Sequence, residues 1–210
     1  RDGGTWVLSV KPQVMRAVCT ELAPLAAGAN PLVVSIAAGV TTAQMDEWLG
    51  GGQAVVRTMP NTPSLVGLGV TGLFPSRCSN YERAFVDHIF SGTGMRVWLE
   101  QEAQINHIIA VTGSAPAYFF YFMQAMQQKA EELGFNSTEA KAMVAQTALG
   151  AATMALQSEH SFAELRAQVT SKGGTTHEAV TTFSEQGLEQ MVANAMQAAI
   201  ARAEAMAKTL

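Results

Sequence analysis

The residue types best suited to chemistry in this chain are gathered in Val169-Thr170-Ser171-Lys172-Gly173-Gly174-Thr175-Thr176-His177-Glu178-Ala179-Val180. Two adjacent glycines end a short loop, and two threonines open an amphipathic helix. Thr175 and Glu178 have the spacing of a capping box, which predicts that each side chain meets a free backbone N–H of the first turn. The N–H groups of that turn and the positive end of the helix dipole favour an anion. Gly173 and Gly174 let a ligand approach the backbone closely and tolerate positive φ. The hydroxyls of Ser171, Thr175 and Thr176 donate or accept hydrogen bonds. This chemistry suits a small carboxylate held beside a group that needs a hydrogen bond. An ordinary capped helix after a glycine turn uses the same residue types, so the stretch alone leaves both readings open.

The elements that must position this loop follow from the pattern upstream. Thr5-Trp6-Val7-Leu8-Ser9-Val10 is an apolar run stopped by Lys11-Pro12, which predicts a buried parallel strand. Pro12 suits the first turn of a helix reaching about Ala26. Pro31 to Ile36 repeats the pattern, followed by Ala37-Ala38-Gly39 and a helix capped by Thr41 and Gln44. Gln53 to Met59 predicts a third strand, broken by Pro60-Asn61-Thr62-Pro63. Gly69 to Phe74 and Met95 to Leu99 predict two more, around a helix started by Ser79 and Glu82. Such alternation means an α/β layer with a parallel sheet. Lys11-Pro12, Ala37-Ala38-Gly39 and Asn61-Thr62-Pro63 each fall just past the carboxyl end of a predicted strand, the rim where open α/β sheets bind ligands.

After Leu99 the pattern turns helical. Glu102 to Gly134 is expected to be one helical stretch kinked at Gly113-Ser114-Ala115-Pro116. Most of Tyr118-Phe119-Phe120-Tyr121-Phe122 is expected to pack in a core. Asn136 with Glu139 caps a helix to about Gln157, and Ser161 with Glu164 caps a short helix leading into the glycine loop. Two helices divided near Gly187 follow.

Composition narrows the classes. Hydrophobic content of 48% and charged content of 14% describe a globule able to bury a core. A formal net charge of −4 without a basic run argues against nucleic acid as a partner. Cys19 and Cys78 are widely separated, which fits a reducing cytoplasm, and the four scattered histidines have no metal-ligand spacing. The stretch between Glu102 and Lys129 is free of charge, yet its Asn, His, Ser and Gln residues make it too polar for lipid. It reads as a helix buried between subunits. The opening Arg1-Asp2-Gly3-Gly4 lacks the apolar segment of a secretory leader.

Five stretches, in one order and spacing, resemble the pyrroline-5-carboxylate reductase family. They are Val10-Lys11-Pro12, Val34-Ser35-Ile36-Ala37-Ala38-Gly39-Val40-Thr41, Arg57-Thr58-Met59-Pro60-Asn61-Thr62-Pro63, Gly113-Ser114-Ala115-Pro116-Ala117-Tyr118 and the run from Glu164 to Glu185. The resemblance covers nearly the whole chain. It implies an α/β Rossmann-like domain, N-terminally truncated, over residues 1–100, then an all-α dimerisation and substrate domain over residues 101–210. A GxGxxG fingerprint is absent, and the first strand resembles the fourth of the family's Rossmann domain. The resemblance implies that on the order of 60 residues bearing the pyrophosphate site are absent from this stretch.

In that family NAD(P)H gives a hydride to C5 of the cyclic imine 1-pyrroline-5-carboxylate, yielding L-proline in the last step of proline biosynthesis. The resemblance implies that Val10, Lys11, Pro12, Ala37, Ala38 and Asn61 line the nicotinamide-ribose end of the NADP (or NAD) site. Gly174 and Thr175 would receive the substrate carboxylate. The Thr176 hydroxyl would meet the imine nitrogen, and Ser171 would order the loop. A homodimer, stacked in some members into rings, is implied as well. Gln168 and Ile109 depart from residues that some members carry near the site. Two alternatives remain open: a catalytically silent helical dimerisation fragment, and a related NADP-dependent reductase of a small hydroxy or keto acid. The latter calls for a lysine between Ser114 and Gln128, where the chain has none.

Overall fold

The computed structural model describes residues 3–207, so Arg1 and Asp2 of the opening read for a leader lie outside the described residues. The chain folds into two compact units, one of them Ala117–Ala195 and the other the rest of the described residues.

The first unit is built on five strands: β1 (Thr5–Leu8), β2 (Leu32–Ser35), β3 (Ala54–Met59), β4 (Gly69–Ser76) and β5 (Gly94–Trp98). They lie side by side in chain order. Helix α1 (Pro12–Ala29) connects β1 to β2, and α2 (Thr42–Trp48) connects β2 to β3. Both pairs are parallel, with Val7 beside Val34 and Val34 beside Val56. The expectation of a wholly parallel sheet is corrected at β4, which runs antiparallel to β3. The reason is the connection. Only a short loop with the 3₁₀ turn Thr62–Val66 joins β3 to β4, whereas a parallel return needs a crossover of a dozen residues or more. Such a crossover exists between β4 and β5, where α3 (Asn80–Ile89) intervenes and the pairing is parallel again.

Strand alternation divides the core between the two sheet faces. Val33 and Val55 join Leu8, Met15, Cys19, Met45 and Leu49 under α1 and α2. Val34 and Val56 join Leu73, Val86 and Phe90 on the α3 face. Coverage on both faces is why β2 opens Leu32-Val33-Val34 and β3 opens Ala54-Val55-Val56, apolar at consecutive positions. A mostly parallel sheet so covered is Rossmann-like. Local signals at the helix ends work as their residue types predict. Pro12 opens α1, and Thr41–Gln44 and Ser79–Glu82 form reciprocal capping boxes.

A short helix α4 (Gln104–Ile108) runs into a π-helical turn, Ile109–Gly113, before α5 (Ala115–Glu132). The helix breaks at the expected Gly113-Ser114-Ala115-Pro116, but the cause is not a proline kink. The break is the π turn, closed by Ser114 N–H donating to Ile109 O at 2.7 Å. Pro116 stands in the first turn of α5, where a missing N–H is tolerated.

The second unit holds most of α5, then α6 (Ser137–Gln157), α7 (Phe162–Gln168), α8 (Thr175–Glu185) and the start of α9 (Leu188–Ala207). Asn136 caps α6, a Ser161–Glu164 capping box starts α7, and Gly187 at φ 78° separates α8 from α9. Core packing of the aromatic run is overturned. Phe119, Phe120 and Tyr121 are 68%, 66% and 76% exposed in the single chain. Only Ala140 and Val144 are buried apolar residues in this unit, so there is no intrachain core for the rings to enter. Phe122 finds a partner in Phe183, with ring centroids 5.8 Å apart. Among the described residues, no helix is long and apolar enough to cross a membrane.

Candidate active site

Two regions hold the residues singled out by sequence, one in each unit, and each is described by itself. In the α/β unit, Val10, Lys11 and Pro12 follow β1, Ala37 and Ala38 follow β2, and Asn61 follows β3. The structure thus brings all six to the carboxyl ends of three consecutive parallel strands. β1 ends at Leu8, earlier than the apolar run suggested, so Val10 belongs to the turn and not the strand. Lys11 is the exposed N-cap of α1 in extended conformation, without a side-chain capping bond. Ala37 is buried, and its N–H donates to Ser35 Oγ at 3.2 Å, which ties the rim to the end of β2. Ala38 beside it is half-buried. A cation with small methyl-bearing neighbours at such a rim is a donor set able to admit a flat, charged dinucleotide end.

Sequence reasoning missed what holds this rim. Arg57 on β3 is 4% exposed, and its Nη1 donates to Glu102 Oε1 at 3.0 Å. The same carboxylate accepts from Thr42 N–H at 2.8 Å and from Thr42 Oγ1 at 3.0 Å. Glu102 therefore fastens the start of α2, just past the Ala37-Ala38 rim, to the third strand. The available signal was a lone arginine inside a β-branched run, which has to find a carboxylate if it is buried. Asn61 is also more engaged than a rim residue need be. Its Nδ2 donates to Thr112 O at 3.0 Å and its Oδ1 accepts from Val70 N–H at 2.8 Å.

In the helical unit, the loop from Val169 reaches α8 through a tight turn. Gly174 N–H donates to Ser171 O at 3.0 Å, and Gly173 sits at φ 71°. A Cβ at Gly174 would stand 2.8 Å from the rotatable Ser171 Oγ and 3.2 Å from Ser171 O, so the second glycine sits in a tight turn. The Thr175–Glu178 capping box is corrected. Gly174 is the N-cap, with no side-chain capping bond, and Thr175 is already the first helical residue. Glu178 N–H makes the ordinary helical bond to Gly174 O. The start shifts because Gly174, in extended conformation, takes the cap position without a side chain to offer. The first turn of α8, with Thr175 and Thr176 exposed, is thereby left without a capping side chain. A neighbouring cleft of about 470 Å³ between α7, α8 and α9 is lined by Arg166, His177, Thr181 and Glu189 among others, and not by Ser171, Gly174, Thr175 or Thr176.

Residues 102–206 match the family described as pyrroline-5-carboxylate reductase dimerisation. Over 204 residues the chain is 50% identical to pyrroline-5-carboxylate reductase of Vibrio alginolyticus, covering 96% of this chain and 75% of the relative. The chain belongs to the pyrroline-5-carboxylate reductase family. The reductase of Pseudomonas aeruginosa is 47% identical over 210 residues, 100% of this chain and 77% of its own length. The solved Coxiella burnetii pyrroline-5-carboxylate reductase superposes with a TM-score of 0.92 at 41% identity, over 96% of this chain and 75% of that one. A Plasmodium falciparum pyrroline carboxylate reductase solved with NADP bound has a TM-score of 0.87 at 26% identity, covering 97% and 77%. Helix α5, which exposes Phe119, Phe120 and Tyr121, thus falls in the family's dimerisation region, and the family is one of oxidoreductases.

Proposed function

We propose that this chain takes part in reducing 1-pyrroline-5-carboxylate to L-proline with NADPH or NADH, the last step of proline biosynthesis. The single observation that carries this reading beyond family membership is the uncapped first turn of α8 behind a Gly-Gly turn. An uncapped N-terminus offers N–H groups and the positive dipole end to a carboxylate, which the substrate has. In this reading Gly174 and Thr175 bind that carboxylate, and the Thr176 hydroxyl hydrogen-bonds the imine nitrogen as it takes a proton. Ser171 keeps the loop closed through the turn to Gly174. Val10, Lys11, Pro12, Ala37, Ala38 and Asn61 hold the nicotinamide-ribose end of the cofactor. When bound, the cofactor supplies the hydride, and the protein contributes alignment and charge placement. The Plasmodium falciparum relative solved with NADP bound supports NADP as a cofactor.

Residues 1–100 then serve as the C-terminal portion of a dinucleotide-binding domain, and residues 101–210 as the dimerisation and substrate domain. The working species is a homodimer. Cys19 and Cys78, far apart in sequence, fit a reducing cytoplasm. The test is oxidation of NADPH, then NADH, with pyrroline-5-carboxylate, beside Thr176→Ala. Proline-forming turnover that falls about a hundredfold in the variant supports the reading. Turnover unaffected by the substitution removes Thr176 from the site.

A further inference from the structure

The carboxamide of Asn61 joins three parts of the α/β unit that are far apart in sequence. Its Oδ1 accepts from Val70 N–H at the start of β4, and its Nδ2 donates to the carbonyl of Thr112 in the π turn. That carbonyl has a special need. In a regular helix Thr112 O would accept from the N–H of the residue four ahead, and that residue is Pro116, which has no N–H. A half-buried carbonyl deprived of its donor needs another one. The π turn also lies against the end of β3, since a Cβ at Gly113 would stand 3.4 Å from Met59 Cε.

We propose that Asn61 is a positioning residue: its amide supplies the hydrogen bond that Pro116 cannot make, and so locks the rim after β3 to the π turn and to β4. The catalytic consequence rests on the reductase reading above, in which this rim meets the nicotinamide end of the cofactor. The lock itself stands on the two hydrogen bonds and the proline. Aspartate at position 61 is isosteric and keeps the acceptor for Val70, but it turns the donor facing Thr112 O into a second acceptor. An alanine at position 116 restores a backbone donor to Thr112 O. The two substitutions must therefore couple.

The experiment is a double-mutant cycle of Asn61→Asp and Pro116→Ala in the full chain, with Asn61→Ala alongside. Two readouts are taken: backbone amide exchange at Val70 and Ser114, and kcat and KM with NADPH and pyrroline-5-carboxylate. Asn61→Ala should lose protection at Val70, whereas Asn61→Asp should keep it and lose protection at Ser114. Asn61→Asp should raise KM for NADPH about tenfold, while simple loss of folded protein would lower kcat alone. In the Pro116→Ala background the aspartate penalty should shrink to about threefold or less. An equal penalty in both backgrounds, or wild-type exchange at Ser114 in Asn61→Asp, would overturn the lock. If Asn61→Ala does not fold, the isosteric aspartate decides. If the wild-type chain does not reduce pyrroline-5-carboxylate, the exchange arm alone decides the lock.

Discussion

In the α/β unit Val33, Val34, Val55 and Val56 are closed to solvent on both faces of the sheet, whereas among the apolar residues of Ala117–Ala195 only Ala140 and Val144 are buried. The helical unit instead exposes Phe119, Phe120, Tyr121, Leu149, Leu156 and Phe162. Apolar exposure on this scale marks a surface that another chain covers. The first unit completes its core within one chain. The second distributes its apolar residues around helices in a way that only assembly satisfies, consistent with its match to the family's dimerisation region. Stability of the first unit should therefore be intrinsic, and that of the second should depend on protein concentration.

Four perturbations sharpen the contrast. The largest effect should come from Phe120→Asp, which places a charge on the exposed aromatic face of α5. Sedimentation should show dimer affinity weakened by about a hundredfold or more, with helical signal lost on dilution. A variant dimer as tight as wild type would remove that face from the interface. Next is Glu102→Ala, which leaves Arg57 buried without its carboxylate. Urea denaturation should show a loss of about 3 kcal/mol, independent of protein concentration because the damage lies inside the α/β unit. A concentration-dependent loss would break the distinction between the units.

The third effect is chemical. Burial pushes the Cys19 thiol up to about 11, so at neutral pH it is protonated and slow to react with a disulfide reagent. Half-buried Cys78 should be labelled first, and Cys19 only on unfolding of the α/β core. The smallest effect is at Glu164 in the helical unit. Hydrogen bonds from the Ser161 hydroxyl and backbone N–H hold its carboxyl below the usual carboxylate range. A depressed folded-state value means the contribution is present above the ordinary carboxylate pKa and is lost as pH falls through the lowered one. NMR titration should show the Glu164 value rise towards normal in Ser161→Ala, with Leu73 and Val86 in the other unit unaffected.

Much of the fold was legible locally. Capping pairs at Thr41–Gln44, Ser79–Glu82 and Ser161–Glu164 work because both partners lie within one turn, and Pro12 sets φ at a helix start by its own ring. Thr175–Glu178 has the same spacing and fails, since Gly174 takes the cap position one residue earlier. Pairing direction at β4 was less visible, because a strand has the same composition whichever way it runs. Of the site, the rim positions and the glycine loop could be read from turn chemistry. The bonds that hold them could not. Arg57 to Glu102 spans 45 positions and Asn61 to Thr112 spans 51. Aromatic periodicity misled for a related reason: Phe119, Phe120 and Tyr121 mark a face that must be covered without saying whether the cover is the same chain.

The sequence by itself determined which segments become strands and helices and most helix starts, and it marked candidate rim and loop residues. Those are short-range matters of backbone dihedrals, capping and side-chain type. Only the tertiary structure decided that Glu102 serves Arg57 and Thr42 together, that Asn61 answers the carbonyl freed by Pro116, and that the aromatic run faces outward. Hydrogen-bond partners and burial depend on which distant backbones are brought together, and folding in three dimensions makes that choice.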